Sequence, residues 1–345
     1  MNGSCPTPDA GGDRLTLAHG EGGRLSRRLV RRRILARFSN PHIEPLGDAA
    51  VLPRFQGAPV FTTDGFVVSP LFFPGGDIGC LSVYGTTNDL AVAGARPRWL
   101  SLGLILEEGL ADEVLEAVLD SVARAAKEVG VEVVTGDTKV VPRGAVDRLF
   151  ITTSGLGEQL DWSLGGPQTL SVGDALIISG PVGRHGFAVL AARENLGIDP
   201  PPTSDCGSLW PAVAALAAAG VSVRALRDAT RGGVAAVFQE WAEASGLTLA
   251  IEGAAVPVSA EARGLSELLG IDPLHVANEG TLVAAVPAAS IEAALAVLRV
   301  VPITASAVVV GRVEARGLSP VTVRGALGRA RPLDEPLGAP LPRIC

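Results

Sequence analysis

The chain has 345 residues, 47% of them hydrophobic but only 4% aromatic, and a formal net charge of −7. That length favours two domains, with cores built mainly of Ala, Val and Leu. The acidic balance argues against nucleic acid as the main partner, no apolar run is long enough to span a membrane, and the four scattered cysteines (Cys5, Cys80, Cys206, Cys345) suit a reducing cytosol better than a disulfide framework or a zinc site.

Residues 1–18 read as a loose leader, of which 1–14 are polar and lack an apolar signal core. His19-Gly20-Glu21-Gly22-Gly23 is either a loop whose amides approach an anion or a flexible hinge. Residues 24–38 read as one helix with Leu25, Leu29, Ile34, Leu35 and Phe38 near one face. Arg27, Arg28, Arg31 and Arg32 crowd the remainder, as a solvated face or one paired with acidic surface on a partner, and this helix is given no chemistry.

Strands are expected at 60–63, ending on Asp64-Gly65, at 101–106, at 131–134 and at 149–155. The stretch 72–79 is a turn into a helix that carries Gly85-Thr86-Thr87-Asn88-Asp89-Leu90, and 111–129 is a second helix. Asp48, Asp64, Asp89 and Asp137 each fall at or near the end of an element, where functional groups collect. A lone Asp after a strand is usually a turn former. Four such sites, three beside Gly or Thr, favour a Mg²⁺–phosphate site, because carboxylates are hard oxygen ligands. Lys139 adds a cation that neutralises a phosphate, moves a proton or is a solvated end.

A Gly- and Pro-rich seam at 162–170 precedes a second half that alternates strands and helices again. His185 lies in its first turn region. Arg227-Asp228-Ala229-Thr230-Arg231-Gly232-Gly233 opens a helix; its free amides make an anion site, or Asp228 or Thr230 is an ordinary cap. Glu279 stands at the mouth of a strand, as a general base or a surface residue. The pattern implies two α+β domains with a site in the cleft between them, and the absence of G-x-G-x-x-G disfavours a dinucleotide fold. Pro332, Pro336, Pro340 and Pro342 favour an extended arm before Cys345. Its 13 residues reach roughly 40 Å at about 3.1 Å each.

Taken together these motifs resemble the HypE family of hydrogenase maturation proteins. The matching stretches are His19-Gly20-x-Gly22-Gly23, Thr63-Asp64, 72–79, 85–91, Thr135-Gly136-Asp137-Thr138-Lys139-Val140-Val141, Arg227-Asp228-x-Thr230-Arg231-Gly232-Gly233, Ala277-Asn278-Glu279-Gly280 and Pro342-Arg343-Ile344-Cys345. The last is highly specific, whereas the acidic motifs are shared in looser form with aminoimidazole ribonucleotide synthetase, selenophosphate synthetase and thiamine monophosphate kinase. Gly65 stands where the family usually has Ser.

The resemblance implies a two-domain PurM-like α+β architecture. It comprises an N-terminal ATP-binding α/β domain over 19–165 with a mixed, dimer-forming sheet, a C-terminal α+β domain over 170–331, and a flexible tail over 332–345. It implies ATP-dependent dehydration of a carbamoyl group on Cys345 to a thiocyanate, which supplies the cyanide ligand of [NiFe]-hydrogenase iron. A HypF-type carbamoyltransferase loads the thiolate and a HypC–HypD complex receives the cyano group, in the cytoplasm. ATP would be held by Gly22, Gly23, Asp64, Thr87, Asn88, Asp89, Gly136, Asp137 and Lys139, and Mg²⁺ by Asp48, Asp64, Asp89 and Asp137. Glu279 and Lys139, then His185, are the candidate bases. Two rivals remain: an ATP enzyme of the same superfamily acting on a free small substrate, for which Cys345 is dispensable, and a non-catalytic ATP-binding scaffold whose tail is a docking peptide.

Overall fold

Two sheets organise the chain in its computed structural model, which describes residues 14–325 and 328–335. Cys345, with the rest of 336–345, lies outside the described residues.

The first half begins with α1 (Arg24–Leu29) and α2 (Leu35–Phe38), joined by a π-helical stretch at Val30–Ile34. Arg33 and Arg37 pair with acidic residues of their own chain. Arg33 pairs with Asp112 at 2.5 Å and with Glu116, and Arg37 pairs with Glu116 and with Asp120 at 2.6 Å. Four strands then form one sheet: β1 (Pro59–Phe66), β4 (Ala95–Glu107), β5 (Glu132–Val141) and β6 (Leu149–Gln159), in the order β1-β6-β4-β5. Only β4 and β5 run parallel, because α4 (Asp112–Val129) makes the crossover between them. The two-residue strands β2 (Phe72–Phe73) and β3 (Gly76–Asp77) pair beside the start of α3 (Ile78–Val92).

Asp77 caps α3 by accepting hydrogen bonds from the amides of Gly79 at 2.7 Å and Cys80 at 3.1 Å. Helix α3 is buried on nearly every side, since it packs on β1, β6 and α4 of its own domain and on α6 and β8 of the next. This explains why its sequence shows no single apolar stripe. By contrast α4 is amphipathic, with Leu115, Val118, Leu119 and Val122 inward and Gly130 in the left-handed region at its C-terminus.

The second half builds a seven-stranded sheet from β7 (Ala175–Ile178), β8 (Ala225–Asp228), β9 (Thr248–Glu252), β10 (Leu282–Val286), β11 (Val308–Glu314), β12 (Val321–Arg324) and β13 (Ala330–Pro332). Its order is β13-β12-β9-β11-β7-β10-β8. The helices are α5 (Arg184–Arg193), α6 (Trp210–Ala218), α7 (Gly233–Ser245), α8 (Ala260–Leu269) and α9 (Ile291–Val300). One apolar core runs across the seam, joining Ile78, Leu81 and Val118 to Phe187, Leu265 and Val276.

Two expectations change. The strands at 60–63 and 131–134 continue through their acidic residues, so Asp64, Asp137 and Lys139 project from strands rather than loops. Pro332 is not the start of a free arm. It closes β13, an edge strand that tolerates proline, and Leu333 beyond it is buried with its amide donating to Val321 O at 3.0 Å.

Candidate active site

The two halves meet around α3, and two cavities open there and along the first sheet. The larger, about 690 Å³, lies between the glycine loop, the start of α1 and strand β5. His19, Gly22, Arg27, Arg31, Gly136, Asp137 and Lys139 line it. This volume is ordinary for a small-molecule site. Lys139 Nζ stands 3.0 Å from Asp137, and Asp137 also accepts from the Thr138 amide at 2.8 Å. Gly136 is needed for the sheet itself, because a Cβ there would lie 2.1 Å from Leu102 O. The arginine-rich helix, given no chemistry from sequence, supplies Arg27 and Arg31 to this cavity.

The smaller cavity, about 50 Å³, sits at the domain seam and is lined by Asp64, Gly65, Gly85, Asp89, Asp228, Thr230, Arg231 and Glu279. Strand β1 presents Asp64, which accepts from Thr86 Oγ1 at 3.0 Å, and α3 presents Asp89, which accepts from Thr62 Oγ1 at 2.8 Å. Burial, then the charge of Asp64, raises the Asp89 carboxyl above the usual range. Asp228 ends β8, and burial followed by the charge of Asp89 pushes it up to about 7. Glu279 is 4% exposed; burial, then Asp228 and Asp205, raises its carboxyl well above an ordinary glutamate. Its backbone is held by Asp205, which accepts from the amides of Glu279 at 3.0 Å and Gly280 at 3.1 Å. Gly85 brings α3 close: a Cβ there would lie 2.8 Å from the Phe66 ring and 3.9 Å from Glu279 Oε2.

The sequence candidates therefore divide. Gly22, Gly136, Asp137 and Lys139 share the larger cavity, and Asp64, Asp89 and Glu279 share the smaller. Asp48 is exposed, with Gly47 and Ala49 at the rim of the larger cavity, and Gly23 serves as the N-cap of α1. Thr87 and Asn88 line neither. The Thr87 hydroxyl donates to Val83 O at 2.8 Å within its own helix, and Asn88 clasps the second domain through Gly207 O at 3.0 Å and the Leu209 amide at 2.8 Å. His185 is fully buried, 2.9 Å from Ser204 Oγ and edge-on to Phe73, and lines neither cavity.

Sequence reasoning missed the clasp at Asp205 and did not count Asp228 among the site residues. Asp228 is not the cap of α7, whose N-cap is Gly232 at φ 76°. The hard oxygens of Asp64 and Asp89 fit Mg²⁺, which takes one or two protein carboxylates and completes its shell with water and phosphate. Among the described residues no three of His, Cys, Asp and Glu gather into a ready metal cage. The open space around Gly65 would admit a serine side chain.

The raised carboxyls carry a stability signature. Between the ordinary aspartate range and about 7, folded Asp228 holds a proton that the unfolded chain has released. Stability is then full below pH 4 or so and falls as pH rises, by up to about 4 kcal/mol for this group. Urea unfolding across that window is expected to show the falling limb and to show it flattened in Asp228→Asn; an identical slope in the variant would remove Asp228 as its source.

A two-domain enzyme of the AIR synthase-related class is what this arrangement defines. Residues 46–159 match the AIR synthase related protein N-terminal domain, and residues 171–324 match its C-terminal domain. Carbamoyl dehydratase HypE of Escherichia coli (strain K12) is 47% identical over 340 residues, covering 96% of this chain and 99% of its own length. The crystal structure of hydrogenase maturation protein HypE in complex with ATP superposes with a TM-score of 0.91 at 44% identity, covering 96% of this chain and all of that one. The HypE chain of a HypE–HypF complex superposes at 0.78 with 41% identity, covering 89% of this chain and 99% of that one. The chain belongs to the HypE family of carbamoyl dehydratases.

Proposed function

We propose that this protein dehydrates a carbamoyl group carried on Cys345, using ATP, and so makes the thiocyanate from which the cyanide ligand of a [NiFe]-hydrogenase is drawn. The observation that carries this reading is a buried carboxyl at Glu279, its proton affinity raised by burial, at the seam of a HypE-family chain that bears the Pro342-Arg343-Ile344-Cys345 motif.

The chemistry requires an oxygen to leave and two N–H protons to be removed. The γ-phosphoryl of ATP passes to the carbamoyl oxygen as the first proton leaves. Loss of the second proton then expels that oxygen as phosphate, so that Cys345–S–C(=O)NH₂ becomes Cys345–S–C≡N. Catalysis of the first step is largely positioning and charge neutralisation. The larger cavity suits the nucleotide, with the amides of the glycine loop and the cations of Arg27, Arg31 and Lys139 available to the phosphates. Mg²⁺, when bound, neutralises phosphate charge, and the carboxylates available to hold it are Asp137 in the larger cavity and Asp64 and Asp89 at the seam. Glu279 takes a proton from nitrogen at the seam, with Lys139 as the second candidate; His185 has no role in this reading, because it is sealed in the core.

The carbamoyl group comes from a HypF-type carbamoyltransferase and the cyano group goes to a HypC–HypD complex. The reading includes cytoplasmic work as a homodimer. One face of the first sheet suits the contact, since Phe61 stands 65% exposed there. Among the described residues no helix is long and apolar enough to cross a membrane.

Intact-mass analysis after incubation with the carbamoyltransferase, carbamoyl phosphate and ATP tests the reading. A carbamoylated C-terminal peptide that loses one water only when ATP is supplied is the expected result, and a carbamoylated peptide that keeps its mass would refute it. Asp89→Asn is expected to raise the Mg²⁺ needed for half-maximal ATP hydrolysis by about tenfold, equivalent to about 1.4 kcal/mol. An unchanged Mg²⁺ titration would remove Asp89 from the ligand set.

A further inference from the structure

Two cysteines outside the proposed chemistry face one another across the domain seam. Cys80 lies in the first turn of α3 and Cys206 in the loop that leads to α6, with 3.8 Å between their sulfurs. Both are free thiols and both are partly exposed. They are 126 residues apart in sequence, so any bond between them would join the two domains directly. Cys206 follows Asp205, the clasp on Glu279, and its own amide donates to Ser204 Oγ at 3.0 Å. The Cys80 amide is held by the Asp77 cap at 3.1 Å, so both backbones are fixed while the sulfurs need only close by about 1.8 Å to reach bonding distance.

We propose that Cys80 and Cys206 form a reversible disulfide, with a low-molecular-weight disulfide as oxidant, that bolts the two domains together beside the Glu279 cavity. This inference does not depend on the dehydration reading. The Cys80 thiolate attacks one sulfur of the small disulfide R–S–S–R, giving Cys80–S–S–R and releasing RS⁻. Cys206 then loses its proton, its sulfur attacks Cys80 of the mixed disulfide, and the second RS⁻ leaves. The protein loses two protons and two electrons, and the small disulfide takes up both pairs to become two thiols. The order of attack follows from the surroundings. The hydrogen bond from Cys206 lowers the Cys80 thiol despite its burial, and the helix N-terminus favours its thiolate, whereas the same bond and burial raise Cys206.

The full chain, folded, is treated with oxidised glutathione, alkylated and digested without reductant. The expected product is a Cys80–Cys206 linked peptide lacking two hydrogens, dispersed by dithiothreitol, together with a higher urea midpoint in the oxidised protein. In Cys206→Ser, Cys80 should keep a single glutathione adduct. In Cys80→Ser, adduct formation at Cys206 should be at least about tenfold slower, because burial still disfavours its thiolate and shields its sulfur. Recovery of both residues as free thiols while Cys5 or Cys345 reacts, or preferential pairing of either with those cysteines, would overturn the proposal.

Discussion

Cys345→Ala is expected to reduce thiocyanate formation to background while ATP binding stays within about 0.5 kcal/mol of wild type, because the sulfur is needed for the chemistry and not for holding the nucleotide. The reason is chemical. The sulfur is the atom to which the one-carbon unit is attached, and neither a methyl group nor a neighbouring side chain replaces that bond. Cys345→Ser separates the thiol from the geometry, because an oxygen of similar size cannot accept a carbamoyl group as a thiolate does at neutral pH. The measurement is intact mass alongside nucleotide titration in the same preparation. Normal thiocyanate formation in either variant would end the carrier role and leave an enzyme acting on a free substrate. The structure adds a constraint on the carrier. With Pro332 in β13 and Leu333 buried, its amide donating to Val321 O, a carrier role leaves Cys345 at most 12 residues of chain, rather than 13, with which to reach the site. At about 3.1 Å per residue that is still roughly 37 Å.

Much of the fold was legible because local signals agreed with tertiary demand. The apolar spacing at Val114, Leu115, Val118, Leu119 and Val122 marks α4 because one face of that helix meets solvent and the other the sheet. The turn at 72–79 announced the start of α3, and the structure shows why: Asp77 caps the helix, a local hydrogen-bonding act. What was not legible depended on partners distant in sequence. Thr135-Gly136-Asp137 reads as a loop, yet β4 supplies a ladder and β5 runs on to Val141. The Thr87-Asn88 pair reads as ligand-binding beside Asp89. Helical rotation turns the Thr87 hydroxyl onto its own backbone and Asn88 toward the loop of the second domain. Asp228 before two glycines fits a cap as well as a site, and only the burial imposed by β10 and α3 distinguishes the two. Asp205 carried no signal, since its role is set by backbone amides 74 residues away.

Glu279→Gln should separate proton transfer from packing. The amide matches the carboxylate in shape, and the backbone contacts to Asp205 and Asn88 do not involve the side chain. A lost general base typically lowers rate by about 10²- to 10⁴-fold, so dehydration should fall by that factor with ATP affinity retained. Stability should move the other way. Burial, Asp228 and Asp205 all oppose ionisation of Glu279, so its folded-state carboxyl titrates above its unfolded value. The stability it contributes is complete below the ordinary glutamate range and is lost as pH rises toward the folded value. A neutral glutamine removes that loss, and thermal unfolding at pH 8 or so should show the variant equal to or more stable than wild type. Wild-type dehydration should climb with pH above the ordinary glutamate range, because the base acts only as carboxylate, and this limb should vanish in the variant. A variant that is less stable and only a few-fold slower, with the pH limb intact, would make Glu279 a packing residue and pass the proton to Lys139.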